Sequence, residues 1–543
     1  MNRALLTGII MFTLLASHAL SQDIYLTPSH EVYAFLKRME ARQLLVDYKD
    51  AAKPLSRMTL AKMLQALEPK MKEMTRVEQE NYAFLVTEFK YELLKLSGDT
   101  DPTEVRWHLF STEVTKGILN LDINYRLGLT YNKGEQTNVR TQGIKMYGYA
   151  FDDVGFYFNW VDTRESGKNV NPDRLHTPDT GIVLNRIDAT PANTVFEHNE
   201  NDVQFTWRTG SFTFSLEKNV NVWGYGTNGN VIFSNKAPSY PQIKMRVPIS
   251  DNIDFIYFHG ELNSNELDSA RSYFYYPHLL TDSLRRVDKS KYIAAHMIDI
   301  SLFQGVDLSI GESVVYSDKG PLLIYLIPIA LFKSGEWYNR DKDNVQLFGS
   351  LDLNVIKNVN AYFSLFIDEL NTDKLFDPDK SHRQVAFTAG FHLFDIPATN
   401  LDFTAEYTRA NPYVYNHKYS AVTFTNNGFD LGHWIGQNAD DLYLELGFTP
   451  MHSLRISMFA EVYRKGAKGS IIDQYSDDQG KKPFLFDFQY EDRSFGVFGR
   501  YQPLRDVFLD FRIKARKVED TAYPNLNQNN LVEFFFAAGI GLW

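Results

Sequence analysis

Leu121-Asp122-Ile123-Asn124-Tyr125-Arg126-Leu127-Gly128-Leu129-Thr130-Tyr131 alternates apolar and non-apolar residues without a break. Successive side chains of an extended chain point to opposite faces, so this segment predicts a strand with one greasy and one polar surface. The same period returns in Leu401-Phe403-Ala405-Tyr407, Leu442-Leu444-Leu446-Phe448, Leu454-Ile456-Met458-Ala460-Val462 and Leu509-Phe511-Ile513-Ala515. On the last strands the opposite face carries Arg455, Glu461, Asp510, Arg512, Lys514 and Arg516. Charges of that density face either bulk solvent, as in a soluble sandwich, or the wet interior of a transmembrane barrel.

Length separates the two. Strand texture runs from Trp107 to the end of the 543-residue chain, more than one soluble sandwich uses. At roughly 24 residues per strand with its connections it makes about 18 strands, an even number as barrels of this kind require. Composition agrees: 40 Phe and 31 Tyr coexist with a mean hydropathy of -0.32, because lipid-facing and lumen-facing residues cancel. The longest apolar run after the N-terminus, Pro321 to Leu331, is too short for a spanning helix and holds Pro321 and Pro328. The final strand places Phe534, Phe536, Ala538, Ile540 and Leu542 on one parity and ends on Trp543. Such an aromatic end suits recognition by the outer-membrane assembly machinery.

The N-terminus reads as an export signal. Met1, Asn2 and Arg3 precede an apolar run from Ala4 to Ala16, and the small residues Ala19 and Ser21 stand before a cut at Gln22. Residues 1–21 are therefore assigned to a signal peptide, 22–100 to a helical domain on the periplasmic side, and 101–543 to an all-β transmembrane barrel in the outer membrane of a Gram-negative cell. The helical domain is predicted from helical spacing over 28–98. One helix starts at Thr27-Pro28 and aligns Val32, Phe35, Leu36 and Met39. A second follows Ser56. A third opens with the capping box Thr75/Glu78 and runs to Gly98. The absence of cysteine rules out thiol catalysis and cysteine-ligated metals.

Motifs for chemistry are sparse. Gly224, Gly226 and Gly229 spell G-x-G-x-x-G, but a strand-like Val231-Ile232-Phe233 follows where a nucleotide site needs a helix. The glycines read instead as a turn or tight loop where backbone must pass closely, with inward folding as one option. No H-E-x-x-H, G-x-S-x-G or P-loop occurs, and the 13 His are scattered, so no enzyme, cofactor or metal centre is assigned. The acid pairs Asp152-Asp153, Asp440-Asp441 and Asp477-Asp478 read as solvated loop acids, with a divalent-cation contact as the alternative. A net charge of -11 disfavours nucleic acid as a partner.

Aromatic and polar residues are expected together in loops at Trp223, Tyr225, Trp337, Tyr338, Arg340, Tyr413, Tyr415, His433 and Trp434. Exposed rings stack on the C–H face of sugars, and neighbouring polar groups bond the hydroxyls. The same residue types also form the interfacial girdle of a barrel. These nine are the candidate glycan-binding residues. Three stretches of the chain resemble the capsule assembly Wzi family: NVWGYGTNGNVIFSNKAPSYPQIKMR (Asn221 to Arg246), the pair at Tyr325 to Val355 and Tyr362 to Leu370, and NPYVYNHKYSAVTFTNNGFDLGHWIGQNADDLYLELGF (Asn411 to Phe448). The resemblance implies an 18-stranded barrel with periplasmic helices, acting as a lectin that holds capsular polysaccharide at the cell surface beside outer-membrane lipid and lipopolysaccharide. Glu31 to Leu45 with Pro54-Leu55-Ser56-Arg57 also resembles an S-layer homology repeat, a module that binds cell-wall glycans. Two other readings stay open. Lumen-facing Arg512, Lys514 and Arg516 suit a porin or substrate-specific channel, and the helices suit docking by a secretion component.

Overall fold

The computed structural model describes residues 23–98, 106–151, 154–168, 170, 174–190, 193–210, 212–274, 284–369, 384–469, 482–521 and 528–541. The export signal, Asp152-Asp153, Asp477-Asp478 and Trp543 lie outside these residues.

Eighteen antiparallel strands close into one barrel. In chain order they are β1 (Gly117–Asn132), β2 (Glu135–Ala150), β3 (Val154–Gly167), β4 (Asn193–Thr209), β5 (Phe212–Asn219), β6 (Tyr240–Ser250), β7 (Ile253–Leu267), β8 (Asp288–Phe303), β9 (Val306–Ser317), β10 (Asn344–Ile356), β11 (Val359–Glu369), β12 (Gln384–Leu393), β13 (Leu401–Ala410), β14 (Ala439–Met451), β15 (Leu454–Lys465), β16 (Tyr490–Leu504), β17 (Val507–Asp520) and β18 (Gln528–Ile540). The ring closes where β18 pairs with β1, from Glu533 opposite Asn132 to Ile540 opposite Tyr125. The short strand Phe110–Val114 extends this seam along the first residues of β1.

Period-two alternation becomes an inside and an outside. Leu127, Leu129, Phe205, Leu216, Phe511, Ile513, Phe534 and Phe536 are exposed on the outer face, a continuous apolar band suited to lipid. The opposite parity faces a polar interior in which charges are paired: Lys514 with Glu461, Arg516 with Asp492, and Arg455 with Glu445. Asp440 and Asp441 correct the loop-acid reading. They open β14, are buried, and face Arg464 and Asn228. Strand pairing, absent from a reading of loop composition, draws them into the wall.

The helical domain contains α1 (Glu31–Ala41), α2 (Arg57–Leu67), α3 (Arg76–Glu88) and α4 (Lys90–Ser97). Ser56 caps α2, and Thr75 with Glu78 forms the capping box of α3, as the sequence predicts. The expected start at Thr27-Pro28 is displaced, because His30 is the N-cap and its Nδ1 accepts from the Val32 N–H at 3.2 Å. The expected third helix is two helices, broken at Phe89, where φ is -98° and ψ is 17°. Gly98 then ends α4 with φ at 75°, a left-handed conformation cheap only for glycine.

This domain stoppers one end of the barrel, the end of the tight turns such as Ser250 to Ile253, Phe303 to Val306 and Leu504 to Val507. Short turns mark the periplasmic side of such barrels. Arg38 binds Asp395 of the β12–β13 connection and Asp402 at the start of β13, both at 2.6 Å. Lys49 reaches Asp254 on β7 at 3.0 Å. Glu88 collects Arg57 (3.2 Å), Arg106 (2.9 Å) and Arg505 (3.0 Å), the last from the β16–β17 turn. A stopper clamped by buried ion pairs is costly to half-release, since each broken pair strands a charge away from water.

Candidate functional site

Two long connections do not cover the barrel from outside but fold into its lumen. In the β5–β6 connection, Gly224 has φ +106° and Gly229 φ +145°, and a Cβ on Gly226 would lie 1.8 Å from the Gly229 carbonyl. Only glycine permits this reversal. Its tip is pinned to the wall: the Thr227 and Asn228 N–H groups donate to Glu406 at 2.6 and 2.9 Å, and the Asn228 side-chain amide donates to Asp441 and Glu461, both at 2.9 Å. The β13–β14 connection packs against it, with Trp434 Nε1 donating to the Asn228 carbonyl at 2.6 Å and Tyr415 OH to that of Val231 at 2.7 Å. Trp223, Phe233, Phe258, Phe348 and Phe424 complete an aromatic core inside the barrel. Between this core and the helical domain lies a cavity of about 770 Å³ lined by polar residues including Lys37, Asn228, Asp352 and His392.

That inward folding redistributes the nine residues proposed from sequence. Trp223, 1% exposed, stands edge-on to Phe233 and Phe258 at 5.2 and 5.3 Å. Tyr225, Tyr413, Tyr415, His433 and Trp434 are also buried. The expectation that these six present open faces in surface loops is thereby corrected: they hold the loops in place. Trp337 and Tyr338, 68% and 83% exposed, and the exposed Arg340 stand apart on the β9–β10 connection.

The inward dive leaves a notch in the rim opposite the helical domain. β4 is paired on this side to β5 from Thr209 through Val203 and to a short further strand, Leu184–Thr190, from His198 to Asn193, and β7 is paired to β6 only as far as Gly260. Asn199 and Glu200 on β4 therefore face Glu261 and Asn263 on β7 across a crevice of about 430 Å³. Its floor is the hairpin Thr425–Asn426/Phe429–Asp430, turned by Asn427-Gly428 with φ 52° and 82°. Positive φ at both central residues is the geometry that Asn-Gly favours. Asn426 locks the floor, accepting from the Asn263 N–H at 2.9 Å and donating to the Pro238 carbonyl at 3.0 Å. Lys218, bound to Ser239 at 2.6 Å, and Lys289 add positive charge, and Ile182, Pro238 and Pro241 supply apolar wall. Burial pushes the Asp430 carboxyl in this hairpin up to about 6, against the pull of Lys465. A crevice of this size, with amides, the carboxylates of Glu200, Glu261 and Asp288 and two ammonium groups converging over an apolar wall, suits a polyhydroxylated ligand. The crevice escaped sequence reasoning, although Asn427-Gly428 was a visible hairpin signal for its floor.

One group of acids among the described residues has the spacing of a cation site. Glu40, Asp307 and Asp352 bring carboxylate oxygens within 4.8 Å of one another. The Lys37 ammonium already bridges Glu40 at 3.0 Å, Asp352 at 2.9 Å and Asp50 at 2.8 Å, so the cluster reads as an ion network joining α1 to the wall.

A family profile described as capsule assembly protein Wzi matches residues 203–507, more than half the chain. The protein belongs to the Wzi capsule assembly family. The matched span runs from β4 to β17 and includes both lumenal connections, the hairpin and the rim crevice. No curated protein matches the chain. Among solved structures, the Escherichia coli Wzi, described as an outer-membrane protein involved in group 1 capsule assembly and a carbohydrate-binding β-barrel, aligns with a TM-score of 0.59 at 12% identity. That alignment covers 96% of this chain and all of the other. The Pseudomonas aeruginosa OccD3 aligns at 0.43 and 12% identity over 82% of this chain and 96% of its own. The Acinetobacter baumannii OccAB2 aligns at 0.42 and 11% over 78% and 97%. At this identity the Escherichia coli Wzi supports the fold of this family member.

Proposed function

We propose that this Wzi-family protein is a non-enzymatic outer-membrane lectin that retains capsular or related surface polysaccharide at the cell exterior. One observation carries the reading: among the described residues the lumen is occupied from both sides, by the helical domain and by the aromatic core of the two inward connections, while a polar crevice opens at the rim opposite the helical domain. Among the described residues the helical domain and the aromatic core both obstruct the bore, which favours the rim crevice over transport through the lumen. Membership of a capsule assembly family and the carbohydrate binding of the Escherichia coli Wzi support a polysaccharide as the ligand. Residues 1–21 act as the cleaved export signal in this reading, and the aromatic end of β18 as the address for barrel assembly.

Retention of the purified, detergent-solubilised protein on a column of the producing cell's own polysaccharide tests the proposal. Binding that free polysaccharide competes away is expected, and its absence, with cell-bound capsule unchanged in a deletion strain, overturns it. The channel reading makes the opposite forecast for planar bilayers: large steady currents for a porin, silence for the lectin.

A further inference from the structure

The β9–β10 connection lies against the outside of the barrel wall, on the strand faces that elsewhere meet lipid. On β7 to β10 the outward parity is set by Ile298, Ile310 and Leu347, which are exposed like the rest of the apolar band. Tyr257, Ala294, Val314 and Tyr316 share that parity yet are buried, Tyr316 to 0% exposure. What covers them is Tyr325 and Phe332 of the connection. Tyr257 OH donates to the Tyr325 carbonyl at 2.8 Å, and the Tyr316 and Tyr325 rings stand 4.9 Å apart.

Beneath this cover the wall carries an ionisable pair. Glu312 on β9 and His296 on β8 face outward with His296 Nε2 3.2 Å from the Glu312 carboxylate. The Phe332 N–H donates to the same carboxylate at 2.8 Å, and the Phe332 ring lies 4.5 Å from the His296 ring. Glu312 stands six residues above the turn at Phe303 to Val306, about 20 Å along a tilted strand and so about 15 Å up a band roughly 25 Å tall. A carboxylate and an imidazole at that depth, bare to hydrocarbon, would be heavily penalised. The connection removes them from it.

The surface that the cover presents outward is as apolar as the wall it hides. Leu323 and Ile329 are each 79% exposed, and Ile327 and Leu331 are exposed beside them. This is the Pro321 to Leu331 run, too short to cross a membrane and here laid along one. We infer that the β9–β10 connection is a lipid-embedded cover whose outer face contacts the acyl chains of the outer leaflet, continuing the lipid-facing band over the Glu312–His296 pair. Trp337 and Tyr338 then sit at the membrane–water boundary, where amphipathic rings concentrate. Continuity selects acyl chains as the occupant, since Ile298, Ile310 and Leu347 on the same strands already face them.

The chain has no cysteine, so single labels are unambiguous. Ile329→Cys, labelled with an environment-sensitive fluorophore and reconstituted into vesicles containing acyl-spin-labelled lipid, is compared with Leu129→Cys on the band and Glu261→Cys at the rim. Quenching of the 329 label by the lipid to within twofold of the 129 label, with iodide quenching at least fivefold weaker than at 261, supports the inference. Iodide access at 329 without lipid quenching overturns it. Shielding from both quenchers, accompanied by a dimer in native mass spectrometry, also overturns it by assigning the face to a second copy.

Discussion

Ala52 of the helical domain is the antiparallel β-partner of Trp223 in the lumenal glycine-rich connection, and the Gly224 N–H donates to the Ala51 carbonyl at 2.8 Å. The helical stopper and the loop that enters the barrel thus share a backbone ladder. Trp223 is the joint, since its ring is packed by Phe233, Phe258 and Phe348 while its backbone holds the stopper. Trp223→Ala is expected to leave a cavity that the pinned loop does not refill and to cost about 3–5 kcal/mol. Denaturant-induced unfolding in detergent, with protease cleavage within 23–98 as a second readout, checks this; an unchanged midpoint contradicts it.

Glu88 is a single carboxylate among Arg57, Arg106 and Arg505. These neighbours hold its pKa far below the usual carboxylate range although burial alone would raise it. Glu88→Gln keeps the shape and strands buried positive charge, so a loss of about 3–5 kcal/mol is expected. Glu80, half-exposed and paired with the exposed Arg76 and with His452, serves as the control, where Glu80→Gln shifts the same unfolding curve by less than about 1 kcal/mol.

His30 supplies the pH dependence. Burial pushes its pKa down to about 3 from an ordinary 6.5, with Glu88 pulling it up and Arg57 opposing. Below 6.5 the unfolded chain takes a proton that the folded domain refuses, so stability falls as pH drops from 6.5 toward 3. Each pH unit inside that window removes about 1.4 kcal/mol, and above 6.5 the effect vanishes. His30→Asn retains a capping side chain and removes the titration. The stability difference between variant and wild type is therefore expected to be constant from pH 8 to 7 and to shift in favour of the variant by more than 1 kcal/mol at pH 5.

For the glycan reading, Glu261→Ala and Asn263→Ala alter exposed side chains of the rim crevice. Each is expected to weaken polysaccharide binding by about tenfold, equivalent to about 1.4 kcal/mol. Trp337→Ala and Tyr338→Ala, on the outer cover, are expected to leave binding within twofold. Isothermal titration with a defined polysaccharide fragment distinguishes the two sets, and the reverse pattern refutes the placement.

The sequence carried the barrel well because strand alternation is a local signal: Leu121 to Tyr131 needs no partner to declare its two faces. Caps such as Ser56 and Thr75/Glu78 were equally local. The break at Phe89 was invisible because neither proline nor glycine marks it. The aromatic loops misled for a different reason. Trp223, Tyr415 and Trp434 read alike whether a connection turns out to solvent or in to a lumen wide enough to hold it. The deciding features were the pinning acids Glu406, Asp441 and Glu461, which lie far along the chain and declare themselves only in three dimensions. The glycines of the same loop gave the one sequence hint, a backbone too tightly packed for side chains.

The filled lumen bears on how a cell can afford such a protein. A wide barrel that leaked would admit antibiotics and bile salts in proportion to its abundance, and expression would have to be kept low. If the bilayers stay silent, as the lectin reading forecasts, the packing of Trp223, Phe233 and Phe424 in the bore decouples permeability from copy number. On the lectin reading, the surface can then be tiled densely with anchoring points, as a continuous coat requires, without a matching rise in leakage of small toxic solutes.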